Sequence, residues 1–321
     1  MHKCTRCANC PCNFSAEDFV KPDTLPSPAR LSRTNASRCF RVGQAGPGVA
    51  RCVFMSDSPP ANPAEPGLEV RTFFVRGRTA LVARANLSEL YVDSYLHLGT
   101  HGVKPAEAHA TLFKRALAAF ALHCASRPRN ELTAWTINLQ SPRVNLFLAG
   151  DNTLGAVVGR IFDENVKELP ENLFYADVVR GREPKRRSVV AFTEPDPVAG
   201  MEMFYARSEQ RPVRFFDLGD EDFALVSEHP DCDTAWLASL NAEAVRNVEK
   251  TESTAPLESR VCRWHCGCTH DRMLEVLAPV MRQDAEGLFG ESAVVTIQCP
   301  RCAARHAVTR EALEAYLATH P

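Results

Sequence analysis

Ten residues near the C-terminal end, CRWHCGCTHD from Cys262 to Asp271, hold three cysteines and two histidines, and QCPRC follows at 298–302. So many sulfurs in two short stretches restrict what the last sixty residues can become. A segment of that length buries little core of its own and needs staples or a metal to stay folded. The thiols could be disulfides, metal ligands or a redox device, and the choice between these depends on the compartment.

The bulk properties bear on the compartment. The chain has 321 residues, 45% hydrophobic and 24% charged, with a net charge of −2. That is ordinary for a globular protein and offers no general attraction to nucleic acid or anionic membrane. No apolar run reaches the length of a membrane span, and no apolar signal core stands in the first thirty residues. A cytoplasmic location is therefore expected, with an organelle as the alternative if residues 1–54 are a transit peptide. In a reducing compartment, clustered cysteines mean metal or redox chemistry more often than structural disulfides.

Cys266 and Cys268 form a C-x-C pair, and Cys299 and Cys302 form a C-x-x-C pair thirty residues on. Zinc takes four soft donors in a tetrahedron, and two thiol pairs brought together by a small fold supply them. Thiolate binding of this kind can hold a small module folded. One Zn2+ held by Cys266, Cys268, Cys299 and Cys302 is the expectation. Cys262, His265 and His270 are near enough in sequence to be extra ligands, as is His306. Cys124 reads as a small core residue on a helix, and Cys232 has no evident partner.

Upstream, the pattern is that of an α+β chain: an N-terminal mixed sheet-and-helix domain, a helical linker and a small C-terminal zinc-binding domain. FVRGRTALV reads as strands around Gly77. NLSELYVDSYLHLG reads as a helix with Leu87, Leu90, Tyr91, Tyr95 and Leu98 on one face. KPAEAHATLFKRALAAFALHC reads as a second helix, with Pro105 in its first turn and Phe113, Leu117 and Phe120 inward. ELTAWTINLQ and RVNLFLAG alternate as a hairpin around Ser141–Pro142, GAVVGRIF and RRSVVAFTE are further strands, and VRFFDLGDEDFALVSEH is a closing hairpin. PVAGMEMFYARSEQ reads as a helix. These elements span 67–230.

Residues 231–261 read as a metastable linker. Leu237, Leu240, Ala244 and Val248 stand at helical spacing, a face small enough to need docking, and TESTAPLES is polar and weakly structured. In the terminal module, 262–321, Met273, Leu274, Leu277, Val280 and Met281 mark an amphipathic helix bent or broken at Pro279. SAVVTI is a strand, CPRC a tight turn, and Thr309 the cap of a last helix with Val308 packed on Leu313. Residues 1–66 form a Cys-rich extension, either disordered or lying upstream of a start at Met55. Its Cys4, Cys7, Cys10 and Cys12 offer a second metal site as a further reading, while Cys39 and Cys52 have no assigned role.

The C-x-C, thirty residues, C-x-x-C arrangement resembles that of the redox-regulated heat-shock protein 33 family, the 33 kDa chaperonin. YARSEQRPVRFF (205–216) is similar to that family's helix-to-strand stretch, and FVRGRTALV to its opening strand. The resemblance implies an ATP-independent holdase chaperone. Its reduced form binds zinc and is inactive. Oxidation forms Cys266–Cys268 and Cys299–Cys302 disulfides, releases zinc, unfolds the linker and exposes apolar surface to unfolding client proteins. It also implies a homodimer when active. No Walker, GxSxG, GxGxxG or HExxH motif is present, which argues against an ATP-driven cycle and against an enzyme. The rivals are a zinc-ribbon nucleic-acid-binding protein and a family relative that has lost the switch. In the terminal module six arginines are interleaved with seven acids and form no basic stripe, so partners of the nucleic-acid or membrane class are not expected.

Overall fold

The computed structural model describes residues 67–320, so the readings made for 1–66, including its six cysteines and Met55, lie outside the described residues. The fold is α+β, built on a ten-stranded sheet in the order β7-β6-β3-β4-β5-β10-β1-β2-β9-β8. One half joins β1 (Leu68–Val75), β2 (Ala80–Asn86), β8 (Val213–Asp217) and β9 (Asp222–Glu228) to β10 (Thr254–Trp264). The other joins β3 (Glu131–Gln140), β4 (Arg143–Asp151), β5 (Ala156–Phe162), β6 (Asn172–Arg180) and β7 (Arg186–Phe192). Neighbours are antiparallel except β10 and β5, which run parallel through only Arg263↔Ala156 and Trp264↔Val157.

Strand alternation explains the hairpins. In β1 the residues Leu68 and Val70 face one apolar cluster and Phe73 and Val75 a second on the other face, and β2 follows through a tight turn whose Thr79 has φ of 51°. β3 and β4 pair along their whole length from Leu132↔Asp151 to Gln140↔Arg143, around a cis Ser141–Pro142 bond. The strand β6 was not foreseen. NLFYADVVR alternates well, yet the polar, proline-containing stretch that links it to β5 masks where the strand begins.

Three helices pack on the sheet around its main core. In α1 (Ser88–Thr100) Leu90, Tyr91 and Ser94 are buried together with the preceding Leu87. Tyr95, expected on that face, is 77% exposed and stands beside exposed Val92 and Leu96. Position 94 lies about one turn beyond Leu90 and takes the inward place, which turns Tyr95 outward. α2 (Glu107–Ala125) begins after Ala106, so Pro105 lies just outside it. It is almost wholly buried from Ala116 to Ala125, and its small residues let it lie close to the sheet. Gly150 on β4 makes room, since a Cβ there would meet the Cys124 Sγ at 2.7 Å. α3 (Pro197–Phe204), capped by Asp196, continues into a π turn at Tyr205–Glu209. Glu131 is fully buried and is held by Arg127 and Arg180.

The segment expected as one marginal helix is three short ones, α4 (Thr234–Ser239), α5 (Ala242–Arg246) and α6 (Val248–Thr251). Asp233 and Asn241 cap the first two. Leu237, Leu240, Val245 and Val248 pack on Phe73, Val75, Val82, Phe216 and Val226. Ala244 is exposed and Val245 takes the inward place. The break after Ser239 resets the helical phase, so a single 3.6-residue period mispredicts which residue faces inward. Arg214 fastens this layer: its Nη1 donates to the carbonyls of Leu237, Ala238 and Leu240 at 2.9, 2.9 and 2.8 Å.

The largest difference from expectation is β10. TAPLESRVCRW was read as polar and mostly as linker, yet it pairs with β1 from Val75↔Thr254 to Leu68↔Cys262. Of its eleven residues only Cys262 is buried. Its place comes from backbone pairing with an apolar neighbour, and side-chain patterning gives no sign of that.

Candidate metal centre

The chain leaves β10 at Trp264 and enters a short loop that carries Cys266 and Cys268. Gly267 between them has φ of 69°, a left-handed conformation that glycine adopts without strain. This turns both sulfurs to one side. The second pair lies at the end of β11 (Val294–Gln298), which pairs with β12 (Arg305–Thr309). Between them the chain folds into a knuckle, with Ala303 N donating to Cys299 O at 3.0 Å and Cys299 N to Ala304 O at 2.7 Å.

The loop and the knuckle bring all four sulfurs within 4.8 Å of one another. Cys266 Sγ lies 3.7 Å from Cys299 Sγ, and Cys268 Sγ 3.4 Å from Cys302 Sγ. A tetrahedron of sulfurs about 2.3 Å from a central zinc has edges of roughly 3.8 Å. The spacing therefore fits a four-thiolate ion site, and an all-sulfur donor set suits zinc among common biological cations. Cys299 and Cys302 are buried, while Cys266 and Cys268 are half-buried.

Sulfurs this close share protons. The hydrogen bond with Cys266 is the main cause that draws Cys268 down to about 6. The same neighbour draws Cys299 far below the usual thiol range. Cys302 and Cys266 are pushed up correspondingly, Cys302 chiefly by Cys266 and Cys266 chiefly by Cys268. A bound cation would replace those protons and favour all four thiolates.

The group does not include Cys262, His265 or His270. Cys262 lies on β10 at 4% exposure, its thiol pushed up to about 11 by burial. His265 is exposed, and exposed His270 opens α7 (His270–Gln283). His306 on β12 reaches Cys268 and adds to the lowering of that thiol.

A small apolar cluster supports the knuckle: Met273, Leu274, Leu277, Met281, Phe289, Val308 and Leu313. α7 runs unbroken through Pro279, and its buried face is Met273, Leu274, Leu277, Ala278 and Met281, with Val280 43% exposed. A short helix, α8 (Ala285–Phe289), follows it. Thr309 caps α9 (Arg310–Thr319), with Val308 and Leu313 both fully buried.

The centre touches the sheet and α1 through backbone groups. Arg160 on β5 donates to Cys299 O at 3.1 Å and to Gln298 Oε1 at 2.8 Å. His97 Nε2 lies 3.0 Å from Cys302 O, and its ring is 5.6 Å from that of Trp264. Arg305 N donates to His101 Nδ1 at 3.1 Å. Sequence reasoning found the four thiols but missed these contacts, because nothing in Arg160 or His97 marks them beforehand.

Fold and site together define a class: an α+β protein with a ten-stranded sheet and a C-terminal four-thiol cluster. Residues 217–309 match the family model of the Hsp33 protein. No curated protein matches the chain. The fold is similar to the crystal structure of the 33 kDa chaperonin (heat shock protein 33 homolog) of Thermotoga maritima. The TM-score is 0.60 at 16% identity, over 79% of this chain and 99% of that one. The family match covers the short helices, β10 and all four clustered cysteines. The likeness to the solved structure is one of fold, and it extends well beyond the segment that matches the Hsp33 family model.

Proposed function

We propose that this chain is a redox-regulated, ATP-independent holdase chaperone that keeps unfolding proteins from aggregating under oxidative stress. The observation that carries the reading is continuity. The four-thiol cluster begins two residues after β10, and β10 begins three residues after the helices that cover Phe73, Val75, Val82, Phe216 and Val226. Loss of order in the module therefore has a direct covalent route to the layer over an apolar face.

In this reading 67–230 is the chaperone core, 231–261 the linker and 262–321 the switch. The reduced form holds one zinc ion through Cys266, Cys268, Cys299 and Cys302 and is inactive. The ion would supply structural cross-linking of the two cysteine segments. On oxidation each pair gives up two electrons and becomes one disulfide, Cys266–Cys268 and Cys299–Cys302. Each peroxide consumed takes those electrons with two protons and becomes two waters. No thiolate then remains to hold a cation, and a module whose apolar cluster has seven buried members has little else to keep it folded. The linker helices then undock, and the apolar face they covered can bind clients. The active form is a homodimer, and the working compartment is the cytoplasm. None of the described helices is long and apolar enough to cross a membrane.

The test treats zinc-loaded protein with hypochlorous acid, or with peroxide at raised temperature. Zinc release is followed together with light scattering from a thermally aggregating client. Zinc release with suppressed aggregation is expected, and zinc release with unchanged aggregation refutes the proposal.

A further inference from the structure

Cys124 and Cys262 stand outside the four-thiol group and are 3% and 4% exposed. They come from distant parts of the chain, the last turn of α2 and the end of β10, and share one hydrophobic core. Both also border one pocket of about 220 Å³ that is partly open to solvent, yet each residue shows only a few per cent of its surface. Its polar lining comes from Asp151, Asn152, Thr153 and Arg129, with Ser259 and Arg260 of β10.

β10 closes this site in two ways. It carries Cys262 itself, paired to Leu68. It also carries Arg260, whose Nη1 donates to the carbonyl of Cys124 at 3.3 Å and to that of Arg127 at 2.6 Å. One guanidinium thus ties the strand to the helix end that bears the other thiol. While β10 is in place burial pushes both thiols up, and at Cys124 the neighbouring Cys262 sulfur adds to the rise. A protonated, enclosed thiol is a poor nucleophile. Departure of β10 removes one cavity wall, the Arg260 tie and the cover over Cys124 together.

We propose that Cys124 and Cys262 form a second redox pair, gated by β10, which thiol-directed oxidants reach as that strand loosens from the sheet. The reaction takes one electron and one proton from each thiol. One peroxide accepts both electrons and both protons and becomes two waters, leaving one Cys124–Cys262 disulfide. The inference rests on the proposed switch for what releases the strand, and on the cavity and Arg260 for the gate.

The experiment uses the full chain. Reduced zinc-loaded protein and peroxide-treated protein are pulsed with N-ethylmaleimide, and modification of Cys124 and Cys262 is read by peptide mass spectrometry alongside zinc release. Both thiols should be protected in the reduced form. After zinc release they should react together, faster by at least about a hundredfold, and longer oxidation should yield a Cys124–Cys262 cross-linked peptide absent from C262S. Rapid labelling in the zinc-loaded form overturns the gate, as does continued protection after zinc has left. Absence of the cross-linked peptide overturns the pairing. If peroxide releases no zinc, the proposed switch fails instead, and the gate is read from Arg260→Ala. That change should raise labelling of both thiols by about tenfold in reduced protein, from loss of two charge-assisted hydrogen bonds. No rise there overturns the gate independently of the switch.

Discussion

Arg160 and Cys299 meet where the cysteine module rests on the sheet: the guanidinium of Arg160 donates to the Cys299 carbonyl at 3.1 Å. A strand residue from the middle of the chain thus holds the backbone of a residue of the four-thiol cluster 139 positions later. The hydrogen bond is made in a partly buried place, where burial holds the Arg160 guanidinium below its ordinary value. Arg160→Ala should weaken docking of the module by about 1–2 kcal/mol. Hydrogen exchange in β11 and β12 should quicken, and zinc should be lost at a lower peroxide dose. Unchanged exchange and dose would show that the contact contributes nothing to docking.

Removing the ion should melt the terminal module before the rest. Chelation of reduced protein should abolish protection in α7, β11, β12 and α9 while β3, β4 and α2 stay protected. Hydrogen exchange resolves these segments. Cys268→Ser should lower metal retention in the presence of a weak chelator and give the same exchange pattern without chelation. A folded, protected module in either case would contradict a metal-dependent fold.

The four thiols were legible in the sequence because sulfur pairs at such spacing have few other uses. The hairpins β1–β2, β3–β4 and β8–β9, and the inward face of α2, were legible because their apolar periods are clean. Other positions were not, each for a physical reason. Tyr95 and Val280 belong to faces whose boundary falls between neighbouring residues, so periodicity alone misplaced them. Ala244 and Val245 were exchanged because three short helices do not share one phase. β10 was hidden because its pairing partner β1 supplies the apolar character that β10 lacks. Arg160, Arg214 and Arg260 all act on backbone carbonyls, which leave no trace in side-chain patterns.

The linker layer should respond to small changes. Arg214→Ala removes the donor to three carbonyls of the α4 end, and Leu237→Ala removes a buried anchor at a cost of about 2–4 kcal/mol. Either change should make residues 234–251 exchange faster and give client protection without oxidant, measured by light scattering. A variant with open helices and no added protection would argue that the covered face does not bind clients.

Acid should weaken the core through Glu131. Burial raises its pKa, but hydrogen bonds from Arg180 and Arg127 outweigh that and hold it below the usual carboxylate range. A depressed folded-state pKa gives stability that is present above the unfolded value and lost as pH falls through the folded one. Chemical denaturation midpoints should therefore fall as pH drops below about 4. Glu131→Gln should lower stability at neutral pH by about 2 kcal/mol and flatten that acid dependence. An unchanged acid profile in the variant would assign the effect to other carboxylates.

The register of β10 against β1 bears on how selective a client site could be. If the strand lifts away, the N–H and C=O groups of β1 that it had satisfied from Leu68 to Val75 stand open along a ready-made edge. Such an edge accepts any extended polypeptide, because every residue offers the same main-chain groups whatever its side chain. A protein with that opening can take hold of strangers without recognising any of them.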